Sequence, residues 1–143
     1  MTTATREESS RMTTMPDMHS DAVQGRMIRA REVFEDARVL ALAFRWNGCV
    51  CRLCDACTLA MDAILLHRGL RNPKGLPIGG KQAWHLLEKA KMPPVLASGY
   101  ADLLDKCREL DACPGMQFER DDAVALYAFA EEFIDYIDGV VNG

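Results

Sequence analysis

Apolar and small residues recur at alternating intervals of four and three along most of the chain. Val23, Met27, Ala30, Phe34, Ala37, Ala41 and Phe44 form the first stripe, with Arg26, Arg29, Glu32 and Asp36 on the opposite side. That spacing places one apolar face on an amphipathic helix about six turns long. Ser20 is positioned to cap its start. Asn47-Gly48 is positioned to stop it, because glycine readily supplies the left-handed residue at a helix end. The second stripe is CVCRLCDACTLAMDAILLHRGL, from Cys49 to Leu70. Its inward positions are small (Cys, Ala) in the first half and bulky (Met, Ile, Leu) in the second. Small residues at helical spacing admit a neighbouring helix closely, and the bulky end fills a core. This helix is expected to run to about Arg68 and to stop at Gly69.

Asn72, Pro73, Gly75, Pro77, Gly79 and Gly80 then mark a loop. A short third helix, Lys81 to about Met92, turns Ala83, Leu86, Leu87 and Ala90 inward. Pro93-Pro94 breaks it and starts a fourth, whose inner face is Leu96, Tyr100, Leu103, Cys107 and Leu110. A loop over Ala112 to Phe118 contains Pro114-Gly115. Asp121 and Asp122 suit the first turn of a last helix, where negative charge complements the dipole. Ala123, Tyr127, Ala130, Phe133, Ile134, Ile137 and Val141 carry its stripe. No strand alternation or internal repeat appears. The pattern predicts an all-α fold, a helix bundle of four long helices with one additional short helix. Residues 1–19 lack periodicity and are expected as a disordered N-terminal tail. Residues 20–143 are expected as a single helical-bundle domain.

Composition narrows the function classes. A chain of 143 residues that is 49% hydrophobic has the apolar surface for one real core. A net charge of −4 removes a global electrostatic grip on nucleic acid and leaves only a local basic stripe in play. The longest apolar run, Val39 to Phe44, ends at Arg45 and is far below the roughly 18 residues of a membrane span. Arg6, Glu7 and Glu8 replace any apolar leader segment, so the expected location is cytoplasmic and the cysteines are expected as thiols.

Four groups invite chemistry. Cys49, Cys51, Cys54 and Cys57 read C-x-C-x2-C-x2-C, which suggests a metal or redox site. Inside a helix, however, residues 51, 54 and 57 step about 60° backward each time and spread over an arc instead of converging on one ion. Packing explains them better, since free cysteine behaves as a small buried hydrophobe. No metal and no cofactor is therefore expected. Gly75 to Lys81 matches G-x4-G-K, but Gln82 stands where Ser or Thr should bind magnesium, and a helix precedes the loop where a strand is required. The amides at the start of the third helix remain able to hold an anion. His67 suits the negative end of the second helix, and His85 is expected to be half-buried and hydrogen-bonded to a carbonyl. Glu131, Glu132, Asp135 and Asp138 share one helical face, expected to be solvated; no Glu-x-x-His repeat accompanies them.

The order of elements and several strings resemble the HEPN family of small helical proteins. The relevant residues are the small-residue helix ending AMDAILLHRGL, a Pro/Gly loop, AWHLLEKA with Trp84-His85-Leu86, and a closing helix DDAVALYAFAEEFIDYI. The resemblance covers roughly Asp21 to Asp138. It implies an up-and-down four-helix bundle with one additional short helix, pairing into a homodimer and often working beside a minimal nucleotidyltransferase in toxin–antitoxin modules. One branch of the family cuts RNA without metal, using an Arg followed four to six residues later by His. That signature is absent, because no Arg precedes His19, His67 or His85 at that distance, and the residue seven beyond Arg120 is Tyr127. No imidazole is thus placed to activate a 2′-hydroxyl.

The expected function is that of a non-enzymatic interaction or accessory module, paired with a second copy and with a nucleotidyltransferase. A second apolar row on the first helix (Ile28, Val33, Val39, Leu40, Trp46), with Leu59 and Leu66 on the second, independently suggests an interface. The same resemblance implies that a ligand groove, if one is present, lies near Arg52, Trp84, His85, Arg120 and Tyr127. The alternatives are a degenerate ribonuclease or nucleotide-binding protein using Arg120 and Tyr127, and a metal or redox protein using Cys49, Cys51, Cys54 and Cys57.

Overall fold

The computed structural model describes residues 3–70 and 79–143, with side chains from His19 onward. Five helices follow in order: α1 (Thr3–Leu42), α2 (Trp46–His67), α3 (Gly80–Lys89), α4 (Pro94–Ala112) and α5 (Arg120–Asn142). No strand occurs among the described residues. The fold is all-α, four long helices and one short one, as the periodicity predicts. Helix α2 is the hub and packs against each of the other four.

The small-then-bulky pattern explains that position. Cys49, Ala56, Cys57, Ala60 and Ala63 are fully buried, and their short side chains let neighbouring helices close in from more than one direction. Met61, Ile64 and Leu65 then fill the far end. Tyr100 of α4 is fully buried and stacks on Phe133 of α5, with ring centroids 5.2 Å apart and planes at 15°. Its hydroxyl lies 2.8 Å from Thr58 Oγ1 of α2, which satisfies the polar end of an otherwise apolar site. Arg31 of α1 reaches across to Asp135 (2.8 Å) and Asp138 (2.7 Å) of α5, and Arg26 pairs with Asp62 of α2. Asp135 and Asp138, expected on a solvated face, thus brace α1 to α5.

Two boundaries differ from expectation. The backbone of residues 3–19, expected as a disordered tail, is helical and continuous with α1, so Ser20 is interior and caps nothing. Arg6, Glu7, Glu8, Arg11 and Met12 are good helix formers, and no glycine interrupts them. Asn47-Gly48 does not stop α1 either; both lie in the first turn of α2. The stop is Phe44, whose φ of 58° is left-handed. Arg45 N–H donates to Leu40 C=O at 2.9 Å and Phe44 N–H to Ala41 C=O at 3.0 Å, the paired bonds of a Schellman motif. The same pair of bonds closes α2 around Gly69 (φ 72°) and α3 around Lys91 (φ 63°). Only one of the three left-handed positions carries the glycine that would advertise it.

Candidate functional site: an apolar groove between α1 and α5

Asn47 organises the region where α1 ends and α2 and α5 begin. Its amide Nδ2 donates to Met116 C=O at 3.1 Å, and its Oδ1 accepts from Phe118 N–H at 2.8 Å. One side chain in the first turn of α2 therefore holds two backbone groups, either side of Gln117, in the loop that delivers α5. Buried Phe118 anchors that loop, and Asp122 accepts from Glu119 N–H at 3.3 Å to close the first turn of α5.

The result is an open groove of about 500 Å³ between the end of α1 and the start of α5. Arg38, Ala41 and Leu42 come from α1, Phe44 from the turn, Trp46 from α2, and Arg120, Ala123, Val124 and Tyr127 from α5. Its surface is almost wholly apolar, with two guanidinium groups at the rim. Phe44 is 76% exposed, Leu42 68% and Val124 54%. The left-handed turn is the cause: continuing the helix would aim Phe44 along the inner stripe, and reversing the chain there turns it outward. Phe44 and Trp46 meet edge to face with centroids 5.8 Å apart, forming a ridge that separates the groove from a second depression of about 420 Å³ reaching Gln117 and Phe118.

Tyr127 packs on Phe34 with centroids 4.7 Å apart. Desolvation, followed by nearby Glu131, raises its phenol above the ordinary value, so it is protonated at neutral pH and is no base. Arg38 pairs with Glu35 at 2.7 Å, whereas Arg120 makes no ion pair among the described residues. The groove can thus accept an apolar side chain flanked by an acceptor or an acid, and it offers no group able to remove a proton from a 2′-hydroxyl.

Of the five residues expected at a groove, Arg120 and Tyr127 line this one. Arg52 lies elsewhere, exposed on α2 and paired with Asp55 at 3.4 Å. Trp84 is half-buried on α3, and His85 is exposed against its edge at 5.1 Å, not half-buried as expected. Phe44 and Leu42, the most exposed lining residues, were not among the expected set. The six-residue apolar run from Val39 to Phe44 was their only signal, since no amphipathic helix can bury every residue of such a run.

The cysteine cluster is distributed as helix geometry demands. Cys49, Cys54 and Cys57 are buried and Cys51 is half-buried, all on α2. Among the described residues no three His, Cys, Asp or Glu side chains converge as metal ligands. Burial raises the thiols of Cys49, Cys51 and Cys57 above the ordinary range, most strongly at Cys57.

The G-x4-G-K string falls largely outside the described residues; only Gly79, Gly80 and Lys81 are within them. A Cβ at Gly80 would lie 2.7 Å from both Ala101 C=O and Asp105 Oδ1. A carboxylate from α4 therefore already occupies the start of α3, which disfavours an added anion there. Among the described residues no helix is long and apolar enough to cross a membrane.

In comparisons with known proteins, the chain matches no family model, and no curated protein matches it in sequence.

Proposed function

We propose that this chain is a non-enzymatic, HEPN-like helical protein of the cytoplasm that acts as an interaction or accessory module. It pairs with a second copy of itself and serves as the partner or substrate-binding subunit of a nucleotidyltransferase in a toxin–antitoxin-type system. The observation that carries this proposal is the groove between α1 and α5, where Leu42, Phe44 and Val124 are more than half exposed. Contiguous apolar surface of this kind costs solubility unless a partner covers it. A large aromatic held in a left-handed conformation adds to the case, because strain of that sort persists where surrounding structure and function require it. The degenerate strings around Trp84-His85-Leu86 and in α5 supply the family and the nucleotidyltransferase.

The mass in solution tests the pairing. Light scattering at tens of micromolar should give twice the chain mass for the wild type and the single chain mass for Phe44→Asp and Leu42→Asp, with unchanged far-UV ellipticity in both variants. A monomeric wild type over that range refutes the dimer. Co-purification with a minimal nucleotidyltransferase encoded beside this chain should survive Arg52→Ala and fail with Phe44→Asp.

A second reading is kept because Arg120 and Tyr127 line the same groove: a degenerate ribonuclease or nucleotide-binding protein. Incubating the wild type and Arg120→Ala with total RNA separates the two. Unchanged RNA with wild type removes the nuclease.

A further inference from the structure

The apolar groove and the depression across the Phe44–Trp46 ridge carry charge of one sign. Arg38 and Arg120 line the groove and Arg45 lines the depression, and among the described residues no carboxylate lines either. A chain with a net charge of −4 thus gathers cations around a surface whose Leu42, Phe44 and Val124 are more than half exposed. Arg45 and Arg120 are exposed and make no ion pair among the described residues. Arg38 pairs with Glu35, but the five N–H donors of a guanidinium leave room for a second carboxylate. Asp121 and Asp122 share the first turn of α5 with Arg120 and stay outside the lining, and Asp122 is taken up by Glu119 N–H. On α5 the lining runs from Arg120 to Tyr127, two helical turns or roughly 10 Å. The groove is therefore a two-turn apolar trough with one guanidinium on its α1 wall and one on its α5 wall.

We propose that this groove receives an acidic amphipathic helix of the partner protein, and that this helix displaces the second copy of the chain. Its stripe of bulky apolar side chains lies against Leu42, Phe44 and Val124, and a carboxylate on each border of the stripe meets Arg38 or Arg120. The proposal rests on the reading of the chain as an interaction module and names what the partner presents. A helix is the form that fits, because two helices frame the groove and no strand edge is on offer among the described residues. Two turns take apolar residues one above the other on a single face. Carboxylates match guanidinium groups in geometry as well as charge. A nucleic acid strand fits less well, since Ala41, Leu42, Ala123 and Val124 between the arginines offer its sugars and phosphates nothing to bond. Charge also ranks the two protein occupants. Pairing with a second copy turns the same surface on itself and brings like guanidinium groups together, whereas an acidic helix neutralises them. The second copy is held by apolar contact alone and yields to the helix.

The probe is a fluorescein-labelled synthetic helix with a Leu stripe bordered on both sides by Glu, titrated with the full-length protein and read by anisotropy. Replacing Glu by Lys along both borders should weaken binding by about tenfold or more, and replacing Leu by Gln should abolish it. Arg120→Glu, a change at an exposed residue, should lose about tenfold against the Glu probe. It should regain that affinity against a probe with Lys along one border. Arg52→Glu, away from the groove, should bind as the wild type does. Added salt should weaken binding of the Glu probe without splitting the unliganded pair. In light scattering at tens of micromolar, excess Glu probe should take the mass from two chains to one chain carrying one probe. A wild type that is monomeric without probe refutes the pairing, and the anisotropy titrations still decide the occupant. Equal binding of the Glu and Lys probes, or an Arg120→Glu variant that binds as the wild type does, would overturn the proposal. So would an oligouridylate that binds where the Glu probe does not, or a mass of two chains with probe bound.

Discussion

Substituting Gly99 with alanine sets helix propensity against a steric collision, and the structure says which prevails. Gly99 lies within α4, where alanine ordinarily gains about 1 kcal/mol over glycine. A Cβ there would lie 2.3 Å from Phe129 Cε1 and 2.8 Å from both Cδ1 and Cζ, where ordinary contact begins at 3.4 Å. The Phe129 ring must retreat by roughly an ångström. It has little room inward, because its centroid is 5.6 Å from Phe133, which is itself stacked on Tyr100. Retreat toward solvent forfeits packing. Overpacking of this kind costs about 1–3 kcal/mol, so Gly99→Ala should destabilise the protein by about 1 kcal/mol net. In a Phe129→Ala background the obstacle is gone and the same substitution should stabilise by about 1 kcal/mol. The coupling energy is then about 2 kcal/mol, well outside additivity. Urea unfolding of the four proteins, followed by far-UV ellipticity, measures it. Should Gly99→Ala stabilise the wild type, or act with one sign in both backgrounds, the close α4–α5 approach inferred at Gly99 is mistaken.

Two further outcomes follow from named contacts. Lys91 is exposed and left-handed at the end of α3, so Lys91→Gly should stabilise by about 0.5–1 kcal/mol, read as a higher urea midpoint with unchanged slope. The Asp138 carboxyl is held below its ordinary value of 3.8, chiefly by the hydrogen bond from Arg31 and secondarily by Asn142. A depressed folded value means that this stabilisation is complete above about pH 4 and is lost as pH falls through the lowered value. Arg31→Ala should remove that part of the acid sensitivity, an effect that solvent screening keeps within about 1 kcal/mol. Urea midpoints at neutral pH and near pH 3 for the two proteins compare it.

Helix existence was legible wherever the stripe was long, as in α2, α4 and α5, because period and burial coincide there. Val23, Met27, Ala30, Phe34 and Ala37 are all buried as the first stripe predicts. The end of α1 was not legible. Asn47-Gly48 carries the strongest local stop signal in that region, but tertiary structure uses Asn47 as a brace for the loop before α5 and leaves the left-handed position to Phe44. A bulky residue with positive φ leaves no trace beyond an apolar run too long for one amphipathic face, Val39 to Phe44, so the shape of the most exposed part of the groove could not be read from the chain. All five residues expected at a groove were grouped by resemblance, and of these Arg120 and Tyr127 meet on one side of α5. Arg52, Trp84 and His85 were grouped with them by resemblance alone, and the contacts that would join them are three-dimensional. Cys49, Cys54 and Cys57 are buried on α2, in keeping with the reading of the cysteines as residues of a packed helix.

The hub position of α2 has a temporal side. Its partner α1 precedes it across a turn of a few residues, so these two can find each other as soon as both have been made. The flank that α5 will cover has no such neighbour at hand. It waits through the whole of α3 and α4 before α5 follows. A nascent chain of this protein therefore carries an uncovered greasy flank while α3 and α4 are being made, and the emergence of α5 is what seals it.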